Sequence, residues 1–167
     1  MKLEPIFCTK ENKLYKISNN ALVDASTLAQ KSVAWSTVET EDECYNEAYL
    51  AALRDELKVF DNENDTFDDD SKKYVIIDPV VDKELSTLEQ KELFINAFNH
   101  TARRIKDCTC IVGILLPSQL LLDSQATNDF IENLLVKHAQ YNFFAKKEEC
   151  ENSEIKNQPF FSSIVLI

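Results

Sequence analysis

The sequence predicts an α/β fold built on a mostly parallel sheet with helices on its faces, and three observations predict it. Residues 74–78 (YVIID) and 109–116 (TCIVGILL) are apolar on both alternating sets of positions, as central strands buried on both faces are. Stretches of helical periodicity separate the strand candidates, so strand and helix alternate along the chain, the order that gives parallel strands joined by right-handed crossovers. The length of 167 residues, with 44% hydrophobic and 28% charged, suits one domain over residues 1–167 with a single substantial core.

Residues 5–9 and 13–18 flank Glu11 and Asn12 as the arms of an N-terminal β-hairpin. Residues 32–38 (SVAWSTV) read as a short strand carrying the single tryptophan. Thr40 and Glu43 have capping-box spacing, in which hydroxyl and carboxylate each satisfy an orphan amide, and predict a helix start. Tyr45, Ala48, Tyr49, Ala52 and Leu53 then form one apolar stripe. An acidic surface loop is expected over about residues 61–72. Ser86 and Glu89 repeat the capping-box spacing and open a helix to about Lys106, with Phe94, Ile95, Phe98, Ala102 and Ile105 on one side. Pro117 stops the strand before it, because proline donates no ladder hydrogen bond. A third helix spans residues 124–140 and presents Phe130, Ile131, Leu134, Leu135 and His138. Residues 141–145 and 160–167 complete the strand set, with a polar surface loop between them.

Composition excludes several functions. Gly113 is the only glycine, so the glycine-rich loops that cradle phosphates are absent and no cofactor-binding motif is present. The formal charge of -11, from 18 Lys and Arg against 29 Asp and Glu, lacks the basic footprint of a nucleic-acid reader and repels anionic lipid. Arg103, Arg104 and Lys106 form a short basic cluster that suits the last turn of a helix, where cations face the negative end of the dipole, or an anion. No uncharged apolar run reaches the roughly 20 residues of a bilayer span, so no membrane partner is expected. Five cysteines without a disulfide-scaffold pattern, and an N-terminus that begins no apolar signal region, predict a cytoplasmic protein with free thiols.

In parallel α/β folds ligands gather at the carboxyl ends of strands. There the sequence places Asp78, Pro79 and Asp82, and later Pro117, Ser118 and Gln119. Asp78 and Asp82 form a candidate pair for acid-base work or a divalent cation, although an Asp-Pro at a strand end equally stops the strand and fixes a turn. The segment DNENDTFDDD has alternating oxygen ligands but fails the EF-hand pattern: counted from Asp61, the glycine and glutamate places hold Thr66 and Lys72. Cys108 and Cys110 are candidate thiol ligands or small buried hydrophobes. With no Cys-x-x-Cys and two histidines, no metal site is assigned. His138 on an apolar stripe and His100 beside Asn99 and Thr101 belong to no triad motif.

The middle of the chain, residues 31–145, resembles the early strands of (β/α)8 glycoside hydrolases of the cellulase clan. Trp35, then Tyr49-Leu50-Ala51-Ala52-Leu53, then Val75-Ile76-Ile77-Asp78, then Ile111-Val112-Gly113-Ile114-Leu115-Leu116-Pro117 carry the resemblance. The chain departs from the family where Leu116 stands in place of its general acid, Leu115 in place of the preceding Asn, and Val80 in place of a His. Hydrolysis with retention needs two carboxyls flanking the bond, and the second would lie on a late strand beyond a chain of this length. The resemblance therefore implies a truncated, non-hydrolytic relative.

Two functional expectations follow. The first is a non-catalytic binding module for a protein partner or small molecule, with an open sheet edge, such as the C-terminal strand, as a place for homo-oligomers to form. The second is a small hydrolase or metal-assisted enzyme using Asp78 and Asp82, with Ser118 or His138.

Overall fold

The computed structural model describes residues 2–167. Its elements, in chain order, begin with β1 (Phe7–Lys10) and β2 (Lys13–Lys16), an antiparallel hairpin at the expected place. The turn residues Glu11 and Asn12 have φ of 50° and 63°, the left-handed pair whose twist matches the flanking strands. β3 (Leu22–Val23) extends this meander. There follow β4 (Ala29–Ala34), α1 (Trp35–Val38), the small hairpin of β5 (Glu39–Glu41) and β6 (Cys44–Tyr45), α2 (Glu47–Asn64) and β7 (Val75–Val80). The rest of the chain forms α3 (Leu88–Ile105), β8 (Ile111–Leu115), α4 (Ser118–Leu121), α5 (Ser124–Lys137), β9 (Asn142–Ala145), α6 (Lys147–Glu151) and β10 (Ile164–Leu166).

The fold is α/β. Five strands form one parallel sheet in the order β10-β9-β8-β7-β4, so each strand lies beside its neighbour in the sequence of sheet strands. Crossovers of one hand between successive neighbours deliver every connecting helix to the same side. Accordingly Leu53 and Leu57 of α2, Phe94 and Phe98 of α3 and Phe130 and Leu134 of α5 share one core with Val75, Ile77, Ile114 and Phe143. The opposite face is covered by the N-terminal meander, whose Phe7 and Leu14 pack on Ile76, Val112, Leu115, Phe144 and Val165. Adjacent residues of β7 thus serve opposite cores, the reason this strand is apolar at successive positions.

Gly113 stands opposite Asn142. A Cβ at Gly113 would run into the Asn142 carbonyl, well inside contact distance. The register of β7 against β8 also shifts between Val75 and Ile76, which are opposite Ile111 and Gly113 and leave Val112 unpaired. The only glycine is therefore spent on a close strand approach.

Several boundaries differ from the sequence reading. The strand expected over residues 32–38 ends at Ala34, and Trp35–Val38 turns helically, which lets Trp35 Nε1 donate to Glu39 Oε1 at 2.9 Å across four residues. Thr40 and Glu43 lie in the β5–β6 hairpin, and α2 is capped instead by Asn46, whose Oδ1 accepts from Tyr49 N at 3.1 Å. The capping box of α3 is Thr87 with Gln90, one residue beyond Ser86 and Glu89. The acidic loop of residues 61–72 begins later than expected, because α2 continues to Asn64. Asp61 there is buried and accepts from Thr109 N and Cys110 N, and Asn64 exchanges two hydrogen bonds with Lys73. Residues 160–167 give only the short β10, since Pro159–Ser163 is a 3-10 turn. β10 does lie at a sheet edge, but that edge is capped: Leu166 N donates to Asn12 O, and Asn12 Nδ2 donates to Ile164 O. The other edge is β4.

We predict that Gly113→Ala, a one-methyl change, destabilises the protein by about 3 kcal/mol, the upper range for overpacking, because β8 and β9 must separate to admit it. Urea denaturation checks this; a loss under about 1 kcal/mol would show that the strands have room to part.

Candidate functional site

The carboxyl ends of the strands hold three of the four sequence candidates, and the structure does not bring them together. Asp78 of β7 is half-buried beside Ser32 of β4, its register partner, with Ser32 Oγ 3.5 Å from Asp78 Oδ2. Burial raises its pKa, with Lys146 opposing. Asp82 accepts from Ser36 N at 2.9 Å and from Ser36 Oγ, fastening the loop after β7 to α1. Burial opposes ionisation of Asp82, but the Ser36 donors prevail and hold its pKa low. Ser118 is exposed and donates to Gln119 Oε1. Lys146, which follows β9, favours the ionised Asp78; the Glu149 pKa in α6 is raised by burial, with Lys146 lowering it and Glu148 and then Asp78 raising it further. The charged stretch after Ala145 reads in sequence as surface loop, so Glu149 gave no signal there.

A second polar group surrounds Trp35. Glu39 is fully buried, accepts from Trp35 Nε1 and Glu43 N, and meets Lys83, whose Nζ also donates to Glu39 O at 2.7 Å and lies 5.0 Å from the Trp35 ring centroid. Every partner of this carboxylate comes from the chain itself. It ties α1 and the β5–β6 hairpin to the loop after β7.

His138 lies at the opposite end of the molecule, where α5 returns toward the start of β9. It is 5% exposed and packs against the Tyr141 ring at 5.6 Å between centroids. It lines a cavity of about 300 Å³ with Lys2, Leu3, Arg103, Lys106, Lys137 and Gln140. Burial lowers the His138 pKa, and Lys106, Lys137, Arg103 and Lys2 lower it further. The basic cluster seen in the sequence is divided here. Arg104 turns away to Glu47 at 2.8 Å, where His100 also binds while stacked on Tyr45, whereas Arg103 and Lys106 line both this cavity and the neighbouring groove that holds Glu47, Arg54 and Asp107. Lys2 and Lys137 are too distant in sequence for their convergence to have been read.

Three of the five cysteines behave as core, while Cys44 is exposed and Cys8 half-buried. All five are free, and Cys108, Cys110 and Cys150 are buried. Burial, reinforced by Asp61, pushes the Cys108 thiol up to about 12, and Cys110 is raised for the same reasons. Among the described residues no three His, Cys, Asp or Glu side chains gather as metal ligands, and no helix is long and apolar enough to cross a membrane. No family model, curated protein or solved structure matches the chain.

The two aspartates should respond oppositely to substitution. Asp78 has a folded pKa above its unfolded one, so ionisation at pH 7 works against the fold, and Asp78→Asn should leave stability unchanged or higher. Asp82→Ala removes an exposed acceptor of two bonds and should cost about 1 kcal/mol. Urea melts at pH 7 decide; the reverse ranking would mean that the fold favours the Asp78 carboxylate.

Proposed function

We propose that this protein is a non-catalytic binding module of the cytoplasm, acting through a protein or small-molecule partner. The observation that carries this reading is the dispersal of its reactive groups: Asp78, Asp82 and Ser118 face three different local partners, and His138 stands at the other end of the strands. Acid-base and nucleophilic catalysis need such groups within hydrogen-bond reach of one reacting atom. Five free thiols suit a reducing compartment. The acidic composition argues against nucleic acid and anionic membranes as partners. The six-residue β4, at an edge of the sheet, is the place where a second copy or a partner strand would add.

The resemblance to early strands of the cellulase-clan barrels agrees with a sheet whose strands lie in sequence order. Leu115 and Leu116, at the place of that family's Asn and acid, are both buried, which supports a non-hydrolytic relative. A second reading, a small or metal-assisted hydrolase, has one observation in its favour: the Asp78 and Glu149 carboxyls, towards the strand ends, both have pKa values raised by burial and opposed by Lys146.

Incubation of the purified protein with nitrophenyl glycosides, carboxylic esters and phosphoesters, with and without Mg²⁺, Mn²⁺ or Zn²⁺, separates the two. We expect no turnover that disappears in Asp78→Asn or Glu149→Gln. Turnover lost in either variant would replace the binding module by the hydrolase.

A further inference from the structure

The basic cavity around His138 has a composition that the fold alone does not require. The protein carries an excess of carboxylates, yet Lys2, Arg103, Lys106 and Lys137 converge on one cavity and form no ion pair with any carboxylate among the described residues. The helix dipole accounts for part of this arrangement. Arg103 is in the last turn of α3, Lys106 caps it, and Lys137 ends α5. It does not account for Lys2, which arrives from the N-terminal segment, or for a largely buried imidazole that lines the same cavity as four cations. Like charges at this proximity repel, and an anion between them would relieve that repulsion.

We propose that this cavity is a binding site for a small, multiply charged phosphate anion, with Arg103, Lys106, Lys137 and Lys2 supplying charge and His138 a hydrogen bond from its buried ring. The inference rests on the binding-module reading and names its ligand class. A volume of about 300 Å³ is at the small end of ligand pockets and suits a diphosphate or a compact phosphorylated metabolite rather than a polymer. The net charge of -11 also works against a long polyanion, whose neighbouring phosphates would meet the acidic surface.

Proton linkage follows from the groups around His138, where the Tyr141 ring packs at 5.6 Å between centroids and the charged neighbours are cations from α3, α5 and the N-terminal segment. Without an anion they hold the imidazole neutral; an anion reverses the local field and draws a proton onto it. Binding therefore takes up a proton and tightens as pH falls, by at most tenfold per pH unit. Phosphates titrate in the same range, so sulfate, which keeps its charge there, isolates the contribution of His138.

The test is calorimetric titration of the full chain with inorganic pyrophosphate at pH 7, and with sulfate from pH 5.5 to 7.5, in low salt. We expect pyrophosphate to bind and Arg103→Gln with Lys137→Gln to weaken it at least tenfold; both side chains are exposed, so the fold should persist. Sulfate affinity should rise as pH falls, and His138→Asn should flatten that dependence. Absence of binding, or binding indifferent to the paired substitution, overturns the site and leaves the binding-module reading untouched. Binding lost in the variant but accompanied by release of orthophosphate in the wild type supports the site while overturning the non-catalytic reading. A sulfate pH profile unchanged by His138→Asn overturns the assigned role of His138.

Discussion

The constraint on which this structure depends is the single hand of its crossovers. With sheet strands in sequence order, each right-handed connection returns its helix to the same face. α2, α3 and α5 therefore pack as one layer, and the other face of the sheet is left apolar and without a helix. The N-terminal meander closes it. Phe7 and Leu14 cover Ile76, Val112 and Phe144, while Asn142 reaches from β9 to Thr9 Oγ1 and Phe7 O. Asn12 completes the attachment by occupying hydrogen-bonding groups on the outer side of β10. The hairpin thus serves a burial requirement created by the strand order.

The same topology separates the polar groups by function. Strand carboxyl ends carry Asp78, Asp82, Glu39 and Glu149, while the ends of α3 and α5 collect cations at the other pole. Two of the first group are engaged within the chain: Glu39 by Trp35, Glu43 and Lys83, and Asp82 by Ser36. Such satisfied carboxylates tie down the loops that carry them, most of all at the fully buried Glu39, where breaking a partnership would leave a buried charge unpaired. The cations around His138 have no comparable internal partners among the described residues.

Local motifs were read with mixed success, for identifiable reasons. The hairpin turn at Glu11 and Asn12 was legible because two residues between alternating strands leave few conformations. The cap of α3 was displaced by one residue because Ser86 and Thr87 both precede an acceptor at the right spacing, and the backbone chose Gln90. The extension of α2 through Asp61 and Asn64 was hidden because polar residues at a helix end read as loop until their distant partners, Thr109, Cys110 and Lys73, are in place. Of the candidate residues, Asp78 and Asp82 engage Ser32 and Ser36, partners 46 residues earlier in the chain that no local spacing reveals.

What the amino-acid sequence determined by itself was the alternation of strand and helix, the two central strands, and the scarcity of glycine-dependent ligand motifs, because each follows from periodicity or composition over a few residues. Tertiary structure alone decided the strand order, the assignment of Ile76 and Ile77 to opposite cores, and the meeting of Lys2, Arg103, Lys106, Lys137 and His138 in one cavity. Those are relations between segments far apart in the chain. They are fixed by which apolar faces must be buried together, and no local pattern records them.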